Sequence, residues 1–138
     1  MAEPSMSDFA VEFARRGYEA FNERGVDAIL DYLEPDIEWV NLAPGALSGT
    51  YRGHDGVRQF FQELYQDWEG VQLSPEEFIP VDDRYVLVLL RVWARGKVSG
   101  VGGDAPVAML WTVGRTGAAQ VRIYYNRREA LEAAGIKE

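Results

Sequence analysis

What most constrains this chain is its last third, Tyr85 to Gly135, where three strand-like runs follow one another and a short helix closes the stretch. Tyr85-Val-Leu-Val-Leu-Leu-Arg-Val-Trp-Ala-Arg95 is dominated by branched and aromatic residues, which suit a pleated, half-buried surface. A glycine-rich connection, Gly96 to Asp104, leads into Ala105-Pro-Val-Ala-Met-Leu-Trp-Thr-Val113. Gly114-Arg-Thr-Gly117 offers positive-φ positions for a tight reversal, and Gln120-Val-Arg-Ile-Tyr-Tyr-Asn126 is the third run. Arg127 to Ala134 reads as a helix with Gly135 as its C-cap. Successive strands joined by short turns make an antiparallel meander, so the earlier segments must cover one of its faces.

Those earlier segments are mostly helical. Phe9 to Glu23 puts Ala10, Phe13, Ala14, Gly17, Tyr18 and Phe21 on one helical face and its charges elsewhere. Ser7 or Asp8 is the expected N-cap and Gly25 the stop. Residues 1–8 are expected to be a frayed terminus, leaving 9–138 as a single domain. A second helix is expected from Val26 to Leu33, ended by Pro35. Ile37-Glu-Trp-Val-Asn41 alternates, with Ile37, Trp39 and Asn41 on one face and Glu38 and Val40 on the other. Leu42 to Gly53, with Pro44, Gly45, Gly49 and Gly53, reads as a loop. A third helix runs from His54 to about Trp68 with Val57, Phe60, Phe61 and Leu64 as its apolar stripe. Gln72 to Val81 is a weak strand, turned into the Tyr85 run by Asp82-Asp83-Arg84. This is an α+β order, and it predicts a conical, curved antiparallel sheet wrapped around helices.

Composition narrows the function classes. A length of 138 residues suits one domain, and 47% hydrophobic with 12% aromatic content argues against global disorder. A net charge of −8 weighs against a nucleic-acid phosphate backbone or an anionic membrane as partner. No apolar run approaches the roughly 20 residues that span a bilayer, and no basic, apolar-cored leader opens the chain. A cytoplasmic protein is the expectation. Without cysteine there is no disulfide, thiol nucleophile or thiolate metal site. One histidine, His54, leaves no paired metal motif, so neither a metal nor a cofactor is expected.

A curved sheet closed by helices on its concave side leaves a tapering cavity, and strand parity suggests its lining. Trp39 and Asn41 share a face, as do Met109 and Trp111, and so do Val121, Ile123 and Tyr125. The Tyr85–Arg95 run is apolar on both faces, so parity leaves open whether Leu90 and Val92 or Arg91 and Trp93 point inward. Trp68, near the end of the third helix, is expected either to form the rim of this pocket or to cap the core.

Tyr18-Glu-Ala-Phe-Asn-Glu-Arg-Gly25, Pro35-Asp-Ile-Glu-Trp39 and Tyr51-Arg-Gly-His-Asp-Gly-Val57 resemble, in order and spacing, the SnoaL-like branch of the ketosteroid-isomerase-like superfamily. Leu110-Trp-Thr-Val113 and Tyr124-Tyr-Asn-Arg-Arg-Glu-Ala-Leu-Glu-Ala-Ala-Gly135 extend that resemblance over nearly the whole chain. It implies the nuclear-transport-factor-two fold, with a hydrophobic pocket and a homodimer packed through the outer face of the sheet. The catalytic residues of such families do not carry over. The isomerases' basic aspartate falls on Asn41, and an amide is no base at neutral pH. Their oxyanion tyrosine and protonated aspartic acid fall at about Gly17 and Met109, with Tyr18 one residue away and about 100° around the helix. The epoxide hydrolases' Arg-x-Asp is echoed by Arg91-Val-Trp93, where tryptophan replaces the acid.

The expectation is therefore a small-molecule-binding protein without the usual catalytic acids. Its ligand is a small apolar or cyclic molecule, held by Tyr18, Trp39, Asn41, Trp68, Arg91, Trp93, Met109, Trp111 and Tyr125. The alternative is an isomerase, polyketide cyclase or epoxide hydrolase acting through Glu38, Arg91 or His54 in a non-standard arrangement. Against it, Glu38 is out of phase with Trp39, Arg91 either faces solvent or anchors a ligand without a carboxylate partner to activate water, and His54 sits at a helix start where capping is routine. A third reading is an accessory dimerisation module whose cavity is filled by its own tryptophans.

Overall fold

The computed structural model describes residues 6–136. Its elements run α1 (Met6–Arg24), α2 (Val26–Leu30), β1 (Leu33–Asn41), β2 (Gly49–Arg52), α3 (Gly53–Asp67), β3 (Trp68–Pro80), β4 (Tyr85–Gly96), β5 (Gly102–Val113), β6 (Ala118–Tyr124) and α4 (Arg127–Ala133). One six-stranded sheet has the order β2-β1-β6-β5-β4-β3. The C-terminal meander is antiparallel, as are β1–β2 and β3–β4, whereas β1 lies parallel to β6.

Several boundaries differ from the sequence reading, each for a local reason. The first helix begins by Met6, so Ser7 and Asp8 lie within its opening turn rather than capping it, where the Asp8 charge suits the helix dipole. Residues 1–5 of the expected frayed terminus lie outside the described residues. The second helix is shorter than expected because Leu33 already pairs with Ala118 of β6. Pro35, expected as a helix stop, occupies the irregular stretch of β1 between Leu33 and Glu38, where its missing N–H is tolerated. The expected Leu42–Gly53 loop contains β2, an exposed four-residue edge strand whose Thr50 and Tyr51 oppose Val40 and Trp39. The strand β3 starts at Trp68, not Gln72, because Trp68 and Glu69 already pair with Gly96 and Arg95. Two register shifts, between Glu69 and Gln72 and between Pro75 and Glu77, break the periodicity that would have announced its length.

Helices α1 and α3 lie in the concavity of the sheet. Their apolar stripes pack on Ile37 and Trp39 of β1, on Val86, Val88 and Leu90 of β4, and on Met109 and Trp111 of β5. The sequence reading put the helices over one face only, but α4 packs on the opposite, convex face. There Ala130 joins Leu87, Ala108, Leu110 and Tyr124 in a second, smaller core. The Asn126 side chain accepts from the Glu129 amide to start α4, and Gly135 ends it with a φ of 76°.

A solid core and an open mouth

The narrow part of the cone is filled by side chains. Trp39 is wedged against Phe60 and Phe61, with ring centroids 5.9 and 5.7 Å away. On the other side the Trp111 indole donates to the Tyr18 hydroxyl at 2.7 Å, and that hydroxyl donates to the Met109 sulfur at 3.3 Å. Burial pushes the Tyr18 phenol far above its usual range, so it stays a neutral donor–acceptor. Trp39, Trp111, Tyr18 and Met109, all read from sequence as pocket lining, are thus packed core, and all are buried. Trp39 Nε1 has no hydrogen-bond partner in this core.

The hollow lies further out, at the mouth, with a volume of about 600 Å³. Leu64 of α3, Val71 of β3, Val92 and Ala94 of β4, and Val107 of β5 supply its floor. Trp68 and Tyr125 stand at its rim, where both remain substantially exposed. Leu47 closes one side and is placed there by Asn41. The Asn41 amide nitrogen donates to the Leu47 carbonyl at 3.1 Å, while its oxygen accepts from the Ala43 amide at 3.2 Å. Asn41, expected to meet the ligand, is buried and spends both ends of its amide fastening this loop.

Polar groups are few at the mouth. Tyr125 contributes a phenol that burial pushes above its usual range. Ser99 lies on the opposite wall, and its hydroxyl accepts from the Val101 amide at 3.1 Å, which keeps its own hydrogen free to donate. Asp104 reaches the rim, but Arg91 Nη2 donates to its carboxylate at 3.1 Å. That hydrogen bond and the Arg91 charge hold the Asp104 carboxyl below the usual carboxylate range, which makes it a poor proton acceptor.

The structure settles the parity of β4: Val86, Val88, Leu90 and Val92 point inward. Arg91 and Trp93, expected to bind the ligand, therefore lie on the convex face. Trp93 spreads across it beside Gly70 and Gly102, where an added Cβ would stand 3.0 and 2.7 Å from its ring. Glu38 also faces outward, ion-paired with Arg52 and accepting from Gln120 at 3.4 Å. The His54 ring Nε2 is bonded to the Leu33 carbonyl at 2.9 Å, tying the start of α3 to β1. Two strands, β6 and β5, and several residues along the sheet separate Glu38 from Arg91, on the order of 20 Å. The groups of the enzymatic alternative are therefore not assembled into one site.

A wider depression of about 780 Å³ lies at the start of β1, walled by Glu34, Asp36, Glu38 and Arg52. It is a polar surface groove away from the concave side. Among the described residues no three His, Cys, Asp or Glu side chains are grouped to hold a metal ion, and no helix is long and apolar enough to cross a membrane. Leu47, Leu64, Val71 and Val107 are lining residues that the sequence reading does not name as such, whereas Val92 belongs to one of the two alternatives that parity leaves open. Only the register of the sheet and the position of α3 bring these aliphatic residues together, although the α3 stripe did contain Leu64.

A bent sheet with two helices in its concavity and an apolar mouth defines an NTF2-like fold, and solved structures agree. A protein of unknown function from Burkholderia pseudomallei superposes with a TM-score of 0.75 at 25% identity, covering 93% of this chain and 96% of its own. TerC, crystallised with polyporic acid, gives 0.75 at 24% identity, covering 95% and 99%. A proposed polyketide cyclase from Xanthomonas campestris gives 0.72 at 20% identity, covering 94% and 99%. The chain belongs to the SnoaL-like domain family, which matches residues 14–123. No curated protein matches the sequence.

Proposed function

We propose that this SnoaL-like domain binds a small, compact apolar molecule, cyclic or flat, in the hollow at the mouth of the cone. One observation carries the reading: a cavity of about 600 Å³, within the range usual for ligand sites, walled mainly by aliphatic side chains and rimmed by Trp68 and Tyr125. Of the polar groups at its edge, Ser99 and Tyr125 are neutral donors and the Asp104 carboxylate is paired with Arg91, so the ligand is uncharged and carries at most an acceptor oxygen such as a carbonyl. The test is a fluorescence titration with a panel of cyclic and aryl ketones in the Trp93→Phe background, which leaves Trp68 as the one partly exposed indole. Saturable change with at least one member is expected. A flat response across the panel overturns the reading.

We also infer that the convex face packs against a second copy of the chain. Trp93 is 37% exposed there, amid the ion pairs Arg91–Asp104 and Arg95–Glu69. A two-fold interface must be complementary to itself, and a patch carrying both signs around an aromatic centre meets that condition.

A further inference from the structure

Trp68 borders two hollows. One is the mouth cavity of about 600 Å³; the other, of about 420 Å³, lies between the end of α1 and the start of β3, with Phe21, Tyr65 and Gln72 in its walls. Trp68 and Val71 line both. Val71 is short and sits in the strand, so the indole is the larger part of the partition. Its backbone is held at two points. The Trp68 amide donates to the Leu64 carbonyl as the cap of α3, and the neighbouring Asp67 carbonyl accepts from the Lys97 amide at 2.9 Å. Opposite it in the sheet stands Gly96, which has no side chain to fill the space that the indole occupies.

We propose that Trp68 is a specificity-determining residue: its indole separates the two hollows and so limits how long a ligand the mouth accepts. This rests on the apolar-ligand reading above. With the indole in place a compact molecule fills the mouth, whereas an extended one meets the ring edge. Truncating the side chain joins the hollows and admits longer ligands. Trp68 is 44% exposed, so the main core does not depend on it and the variant is expected to fold.

The test uses a homologous series of neutral 4-alkylcyclohexanones, propyl to nonyl, followed by calorimetry on the whole chain. For the wild type, affinity is expected to rise about fourfold per added methylene until the tail reaches Trp68, then stop rising. In Trp68→Ala the rise continues, so two further methylenes accommodated give about sixteenfold tighter binding of the longer members than in the wild type. Trp68→Phe is expected to break between the two, and Trp93→Ala to match the wild type. An unchanged break point in Trp68→Ala, or loss of binding by every member, overturns the partition while the wild-type curve still upholds the pocket. No binding by the wild type to any member overturns the pocket reading, and the partition with it.

Discussion

The indole nitrogen of Trp111 and the hydroxyl of Tyr18, 93 residues apart in sequence, meet at 2.7 Å in the centre of the molecule. The bond ties α1 to the floor of the sheet, and Met109 completes it by accepting the hydroxyl hydrogen. Tyr18, Met109 and Trp111 are all buried, and their packing closes the space at the centre of the cone.

Tyr18→Phe is expected to cost about 1–3 kcal/mol, because it strands the buried Trp111 N–H without a partner. Urea denaturation measures it, and ligand binding at the mouth should be unchanged. An alkaline effect goes with it. The folded phenol is held above its ordinary value while the unfolded one ionises near 10, so the unfolded state binds fewer protons above that pH and stability falls as pH rises. Removing Tyr18 should flatten this fall by up to about 1.4 kcal/mol per pH unit.

Asn41→Ala removes two of the bonds that hold the Leu47 loop and leaves the one from the Tyr51 hydroxyl to the Leu47 carbonyl. A loss of about 1–3 kcal/mol in stability is expected, together with weaker ligand binding as Leu47 leaves the pocket wall. Faster hydrogen exchange confined to residues 42–48 would identify the cause.

Arg91→Ala and Glu38→Gln should each alter stability by less than about 1 kcal/mol, since both ion pairs are solvent-exposed. Affinity for the mouth ligand should not move. A large loss of affinity in Arg91→Ala would contradict its placement on the convex face.

Gly56→Ala sets helix propensity against packing. Alanine gains about 1 kcal/mol in a helix interior, but its Cβ would stand 2.9 Å from the Tyr51 carbonyl carbon, and backbone cannot yield as a flexible side chain does. Net destabilisation of about 1 kcal/mol or more is expected from thermal melts.

Trp93→Arg should convert a dimer to monomer if the convex face joins two copies, read by analytical ultracentrifugation. Gly102→Ala should act in the same direction more weakly, because its Cβ would meet the Trp93 ring at 2.7 Å and push it from its seat.

The class of fold was legible because alternation and turn chemistry are local. The runs at Tyr85–Arg95, Ala105–Val113 and Gln120–Asn126 each became a strand, and the helical stripe of Val57, Phe60, Phe61 and Leu64 became the inner face of α3. The short edge strand β2 was hidden by its flanking glycines, and the true length of β3 by its register shifts. That position 41 carries an amide rather than a carboxylate was equally plain, because residue identity needs no coordinates.

What sequence alone could not decide was direction and volume. The β4 run is apolar on both faces because both faces are covered, by α1 on one side and by α4 on the other. Leu87 and Leu90 are therefore equally buried while pointing opposite ways. Whether the cone is hollow or full depends on where Tyr18, Trp39, Phe60 and Trp111, carried on four different elements, come to rest against one another. Composition supplies the volumes of those side chains, but only tertiary packing decides whether they converge. Here they do, and the remaining space is left at the mouth, where Trp68 stands.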